Sequence, residues 1–133
     1  MKIMRSGERP SRRAPEAYFT GTVWQNPIAN AESPSRAVSI LVSFEPGART
    51  NWHTHPLGQT LHVLSGVGWY QSEGEARIDI RPGDTVWISP GEKHWHGATS
   101  DNTMTHLVIQ ENDDSGTHAT WMEPVSDADY LGQ

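Results

Sequence analysis

The sequence predicts an all-β fold, a barrel or sandwich of short strands. Short runs rich in Val, Ile, Thr and Trp lie between turns made of Gly, Pro, Asn and Asp, and almost no window shows helical periodicity. In the run 38–43, apolar residues alternate with Ser and Leu, which gives one apolar face and one mixed face. A length of 133 residues suits one domain. We therefore expect residues 1–133 to form one domain, with the arginine-rich residues 1–17 as an N-terminal arm.

Turn signals place the individual strands. In chain order, the pattern predicts strands at residues 18–25, 37–44, 59–65, 68–71, 76–80, 85–88, 94–98, 104–110 and 117–122. Sequences such as Pro46-Gly47 mark the turns between them. Near the C-terminus, Ser126 is followed three residues later by Asp129, which resembles a capping box and predicts one helical turn.

Composition excludes several classes of function. The chain has no cysteine, so disulfides and thiolate metal sites cannot form. Its formal net charge of -6 provides no basic surface for nucleic acid. No apolar run has the length of a membrane span, and the N-terminus lacks the apolar core of a signal peptide. We expect a cytoplasmic protein without nucleic acid or membrane as a partner.

The histidines are clustered in a way that indicates a metal site. His53 and His55 form one pair, and His94 and His96 form another. Because alternate residues of a strand face the same side, each pair presents both imidazoles to one face. Gln59 follows the first pair after a Pro-Leu-Gly turn and begins the next predicted strand. Lone histidines are usually surface or hydrogen-bonded residues, but such clusters favour a borderline divalent metal.

The same parity rule selects the other inward-facing positions. His106 and Gln110 share one face of their strand, with Val108 between them. Three further apolar residues are candidates for the wall of a substrate pocket together with Val108: Ile40, Val42 and Trp87. Parity does not distinguish a pocket wall from ordinary barrel core, so both roles stay open for these side chains.

Two spaced motifs resemble those of the cupin family. The spacing Gly47-x5-His53-x-His55-x3-Gln59-x6-Gly66 resembles the first cupin motif, with Gln where most cupins carry Glu. The second motif is represented by Gly83, Pro90, Gly91 and His94. The resemblance implies the cupin fold, a double-stranded β-helix or jelly-roll barrel.

Longer stretches resemble the bacterial manganese-dependent hydroxynitrile lyases of the cupin fold. These stretches are residues 19–23, 44–50, 52–61, 89–98, 104–107 and 121–125. Enzymes of that family split aromatic cyanohydrins such as mandelonitrile into an aldehyde and hydrogen cyanide, and also run the reverse addition. The resemblance implies one divalent metal ion, manganese first with iron, nickel, cobalt and zinc as alternatives, and the ligands His53, His55, Gln59 and His94. Because Gln59 is neutral, the ion's charge is not compensated, and we expect a stronger Lewis acid.

The resemblance also implies the polar groups of the pocket, Thr50, His96, His106 and Gln110. His96 is the first candidate for the general base, because it shares a face with His94, and His106 is the second. His106 and Gln110 are expected to donate hydrogen bonds or a proton to the departing cyanide. Thr50 is expected to hydrogen-bond to the substrate oxygen.

Two other functions are compatible with these residues. One is a cupin dioxygenase that uses ferrous iron, since such sites combine histidine ligands with open positions. The other is a non-catalytic metal-binding partner of an enzyme that resembles carboxymuconolactone decarboxylase. In each case we expect a homodimer or homotetramer, with the Trp-rich outer face or the N-terminal segment at the contact.

Overall fold

Thirteen strands and one short helix make up the fold in a computed structural model, which describes residues 1–133. In chain order the elements are β1 (Arg12–Arg13), β2 (Phe19–Thr20), β3 (Val23–Asn30), β4 (Ala37–Phe44), β5 (Arg49–Thr50), β6 (His53–Thr54), β7 (Gln59–Gly66), β8 (Gly68–Ser72), β9 (Ile78–Ile80), β10 (Thr85–Ile88), β11 (His94–Ala98), β12 (Met104–Glu111), β13 (Thr120–Trp121) and α1 (Asp127–Leu131). The prediction of an all-β fold is confirmed. The helix is too short to cross a membrane.

The ends of the chain differ in detail from the sequence pattern. Arg12 and Arg13 pair with β3, and Ala14 is buried in the core, so the last part of the predicted arm belongs to a sheet. The strand predicted at 117–122 is reduced to two residues, because the chain before it forms a tight turn. The predicted helical turn is present, and the Ser126 side chain accepts a hydrogen bond from the Asp129 N–H at 3.1 Å. That residues 1–133 form one domain stays a prediction.

Two curled antiparallel sheets form the barrel. The first has six strands in the order β1-β3-β4-β12-β7-β10. The second has the order β13-β6-β11-β5-β2, and β8 pairs with β11 and β9 with β8. The interrupted strand made of β5 and β6 therefore carries both Thr50 and His53 beside β11.

The interior changes from apolar to polar along the strands of the first sheet. Met104 lies opposite Phe44 at one end of the β12–β4 pair, and both are fully buried among apolar side chains. Six residues further along β12, Gln110 lies opposite Gln59 of β7. Every second residue between Met104 and Gln110 is buried, including His106. The apolar core therefore fills one part of the barrel and leaves a polar cavity in the other.

A second apolar cluster covers the outside of β11. Trp52 and Trp95 pack there against Val125 and Tyr130 from the C-terminal segment. The Tyr130 hydroxyl donates to the Ala98 carbonyl at 2.6 Å. Because both faces of β11 are covered, all five of its residues are buried. The strand that carries His94 and His96 is thus held on both sides.

Candidate metal centre and cavity

A cavity of about 60 Å³ lies inside the polar part of the barrel. It is lined by most of the polar residues predicted from the sequence, namely Thr50, His53, His55, Gln59, His96, His106 and Gln110. His94 lies directly behind this lining, with its ring centroid 4.2 Å from that of His53. The structure therefore brings all eight predicted polar side chains to one place.

Strand pairing explains why the imidazoles converge. His94 on β11 and His53 on β6 are direct cross-strand partners. The ring centroid of His55 is 4.9 Å from that of His53 and 5.2 Å from that of His94. The rings of His53 on β6, His55 just after β6 and His94 on β11 thus lie close together, and Gln59 lines the same cavity from the other sheet.

Each of these three imidazoles is oriented by a backbone carbonyl. The Nδ1 atoms of His53 and His94 lie 2.8 and 2.9 Å from the carbonyl oxygen two residues earlier in the chain. The Nδ1 atom of His55 lies 2.7 Å from the carbonyl oxygen of His118. Because a carbonyl can only accept, each Nδ1 carries the hydrogen in the neutral ring and each Nε2 has a free lone pair. This is the arrangement that proteins use to direct histidine ligands at a metal.

Several buried ligand atoms lack a protein partner. The Nε2 atoms of His55 and His94 and the Oε1 atom of Gln59 are buried without a hydrogen bond. The Gln59 amide is fixed by its other end, where Nε2 donates to Oε1 of Gln110 at 2.9 Å. An unpartnered buried polar atom is costly unless something else satisfies it. The donor set, imidazole nitrogens and an amide oxygen, fits a borderline divalent cation.

Burial keeps the imidazoles neutral. Burial lowers the pKa of His53 well below its usual value. It also lowers the pKa of His94, to about 4. The neighbouring histidines lower the pKa of His53 further. Near neutral pH these rings are therefore uncharged, and their lone pairs are available to a cation.

A closely spaced group of three histidines could hold a metal ion. One ligand nitrogen from each of His53, His94 and His96 lies within 4.8 Å of the others. His53 and His94 also belong to the ligand set implied by the sequence. That set contains His55 and Gln59 but not His96. His96 therefore lies near enough to the centre either to ligate or to contact a bound substrate.

His96 and His106 form a second, buried pair. The Nδ1 atom of His96 lies 3.0 Å from the Nε2 atom of His106, while the other ring nitrogens have no partner. Burial lowers the pKa of His106 to about 3. The pKa of His96 is lowered well below its usual value, first by burial and then by the neighbouring His106. One hydrogen is shared in this contact, so the tautomers of the two neutral rings are linked.

Three of the four residues predicted as pocket wall lie at the cavity. Ile40, Val42 and Val108 line the cavity. The prediction for Trp87 is wrong, because its side chain is 60% exposed on the outer face of β10. Ile88, the next residue of β10, is buried and lies opposite Gln59. Because neighbouring residues of a strand face opposite sides, Trp87 points outward.

Sequence reasoning missed five residues of the lining: Phe19, Gln25, His118, Ala119 and Trp121. Trp121 stacks on the ring of His53, with centroids 4.5 Å apart and planes at 27°. Phe19 and Trp121 lie in stretches that carry the family resemblance, which was the available signal. His118 lies after a turn rather than on a regular strand, so parity could not assign its face.

Known proteins with similar sequences and structures identify the fold family. Residues 40–110, more than half of the chain, match the model of the cupin domain. A protein of Granulicella tundricola named (R)-mandelonitrile lyase is 55% identical over 130 residues, which cover 98% of each chain. A cupin-like protein from Thermotoga maritima is 35% identical, with a TM-score of 0.84 over 96% of this chain and 95% of that one.

A more distant similarity shows the fold alone. The polyketide cyclase RemF from Streptomyces resistomycificus has a TM-score of 0.77 over 98% of this chain and 90% of its own, at 18% identity. The all-β barrel, the family match over residues 40–110 and the 55% identical relative agree. The chain therefore belongs to the cupin family, as its two histidine motifs predict.

Proposed function

We propose that this protein is a metal-dependent hydroxynitrile lyase, which cleaves aromatic cyanohydrins such as mandelonitrile to an aldehyde and hydrogen cyanide. The observation that carries the proposal is the cluster of buried, unpartnered ligand atoms on His55, Gln59 and His94 beside the His96–His106 pair. The 55% sequence identity between this chain and a protein named (R)-mandelonitrile lyase supports the proposed reaction.

The proposed ligands are His53, His55, Gln59 and His94, and the proposed ion is manganese. Their carbonyl-oriented imidazoles and the free amide oxygen support this set. A bound divalent ion would act as a Lewis acid toward the substrate oxygen. Because the set contains no carboxylate, nothing in it neutralises the charge of the ion.

The proposed base is Nε2 of His96. When Nδ1 of His96 donates to His106, Nε2 has the free lone pair that removes the hydroxyl proton of the cyanohydrin. The carbon–carbon bond then breaks, its electron pair leaves with cyanide, and the proton passes from His96 to give hydrogen cyanide. His106 accepts a hydrogen bond from His96 throughout and so stabilises the transient imidazolium.

Two other side chains have donors free for the substrate. Gln110 uses its Oε1 to accept from Gln59, which leaves its NH₂ group to hydrogen-bond the departing cyanide. The Thr50 hydroxyl oxygen accepts from the His96 N–H at 3.3 Å, so its own hydrogen can be donated to the substrate oxygen. Both groups stabilise charge that develops during cleavage.

The size of the cavity bears on the substrate. Its volume of about 60 Å³ is below the roughly 150 Å³ of a protein cavity known to bind benzene. We therefore place the hydroxyl and nitrile groups inside the cavity and the aromatic ring along Phe19 and Trp121. We expect Ile40, which lines the cavity, to limit how far the ring enters.

A metal-exchange assay tests the proposal. Protein stripped with a chelator is reloaded with manganese, iron, nickel, cobalt or zinc, and the release of benzaldehyde from mandelonitrile is measured by absorbance. We expect at least about 100-fold more cleavage with the best metal than without metal. His62→Ala, a change on the outer face of β7, is the matched histidine control and should behave like the wild type.

Two outcomes would contradict the proposal. Oxygen consumption by the iron-loaded protein, without nitrile cleavage, would indicate a dioxygenase. A rise in thermal stability on metal binding, without any turnover, would indicate a metal-stabilised binding module.

We also propose that the protein is a homo-oligomer that pairs through the outer face of the first sheet. Trp24, Leu64, Trp87 and Ile109 are exposed there, and the outward side chains of β4 are Ser and Leu. An outer face with several large exposed apolar side chains is typical of an interface between protein subunits.

The oligomer proposal predicts a difference between two isoleucines of similar exposure. Ile109→Asp, in the proposed interface, should halve the mass measured by light scattering after size exclusion. Ile78→Asp, in the second sheet, is the matched control and should keep the wild-type mass. A wild-type monomer, or equal behaviour of both variants, would contradict the proposed interface.

A further inference from the structure

His55 differs from the other two imidazoles in what orients it. His53 and His94 are held by carbonyls of their own chain segments, two residues away. His55 is held by the carbonyl of His118, which is 63 positions further along the chain. The direction of the His55 ring therefore depends on a segment that lies outside both histidine motifs.

That segment is a tight turn at residues 112–118, which we call the Asp113 turn. The Oδ1 atom of Asp113 accepts three hydrogen bonds, from the Ser115 N–H at 2.9 Å, the Ser115 hydroxyl at 2.7 Å and the Thr117 N–H at 2.9 Å. The Asp113 N–H donates to the Thr117 carbonyl at 2.8 Å, which closes the turn. The hydrogen bonds from Ser115 and Thr117 lower the pKa of Asp113, because they stabilise its ionised carboxylate.

The Asp113 turn delivers His118 to the cavity. His118 is the next residue after Thr117, and its ring is also tied to the turn, with Nδ1 3.2 Å from Oδ1 of Asn112. His118 and Ala119 line the cavity, and the following strand β13 pairs with β6, which carries His53. One end of this segment is thus fixed by sheet pairing and the other by the Asp113 carboxylate.

We propose that Asp113 is a positioning residue for the metal centre: it holds the turn that places the His118 carbonyl against Nδ1 of His55. The inference rests on the proposed role of His55 as a ligand. Groups that orient a metal ligand commonly change metal affinity by about 10- to 100-fold when they are removed. Asp113 lies outside both apolar clusters, so its loss acts through the turn rather than through the core.

Three variants separate this role from a general effect on folding. Asp113→Ala removes the acceptor and should raise the Kd for manganese about 10-fold, measured by calorimetry with a competing chelator. Asp113→Asn keeps a carbonyl oxygen that accepts from the same N–H groups, and its Kd should stay within about threefold of wild type. Asp114→Ala is the matched control, because Asp114 pairs only with Arg36 at the surface, and its Kd should not change.

A second measurement reports on His55 without any metal. In ¹H–¹⁵N spectra of the metal-free protein, the Nδ1–H signal of His55 should exchange slowly with water in the wild type and the Asn variant. It should exchange faster, or disappear, in Asp113→Ala. Wild-type affinity and an unchanged His55 signal in Asp113→Ala would overturn the inference. If the wild type binds no metal, the proposed function fails, whereas the His55 signal still tests the role of Asp113.

Discussion

Replacing His96 with alanine is expected to lower the rate of mandelonitrile cleavage by about 100- to 10,000-fold, the usual contribution of a general acid–base residue. His96 is buried beside the cavity and remains neutral, and its Nε2 atom has no protein partner. Its other nitrogen is already engaged by His106, so Nε2 is the atom available to take a proton. The measurement is kcat with saturating substrate on metal-loaded protein, together with the metal content per chain.

The metal content decides what a loss of activity means. We expect His96→Ala to keep one ion per chain, because the four proposed ligands are unchanged. Loss of the ion would instead assign His96 to the ligand set, as its closeness to His53 and His94 allows. Full activity with full metal content would remove His96 from the mechanism. His62→Ala again controls for the loss of an imidazole elsewhere on the barrel.

Strand parity explains why much of the site could be anticipated from the sequence. In a strand, residues two apart face the same side. The sequence alone therefore predicts that His53 shares a face with His55 and that His94 shares a face with His96. The same rule put His106 and Gln110 on the inner face of β12, where the structure buries both. Parity depends only on the local backbone, and for this reason it needs no knowledge of the fold.

Parity cannot predict which face of a strand points inward, or which side chains meet across the barrel, where distant contacts decide these features. Trp87 lies in a four-residue strand with apolar side chains on both faces, and only the pairing of Ile88 with Gln59 fixes which face is inner. The contact between His96 and His106 joins strands of different sheets, so its existence depends on how the barrel closes. The carbonyl of His118 reaches His55 from a turn, for which no periodicity exists.

Replacing Gln59 with glutamate is expected to bind metal more tightly and to catalyse more slowly. A carboxylate adds a negative charge to the proposed ligand set, and this charge attracts the cation but weakens it as a Lewis acid. We expect the Kd for manganese to fall about 10-fold and kcat to fall on the order of 100-fold. The fold should tolerate the change, because the Gln110 amide can rotate and donate to the new carboxylate in place of the present hydrogen bond from Gln59.

The opposite signs of these two effects make the result specific to a ligand position. Gln25→Glu is the matched control, since Gln25 also lines the cavity but belongs to β3 and is not a proposed ligand. A negative charge at residue 25 should change both the affinity and the rate by much less. If Gln59→Glu and Gln25→Glu behave alike, the charge acts through the general field of the cavity rather than through the ion. If Gln59→Glu binds metal more tightly at an unchanged rate, the neutral amide is not required for the proposed cyanohydrin cleavage.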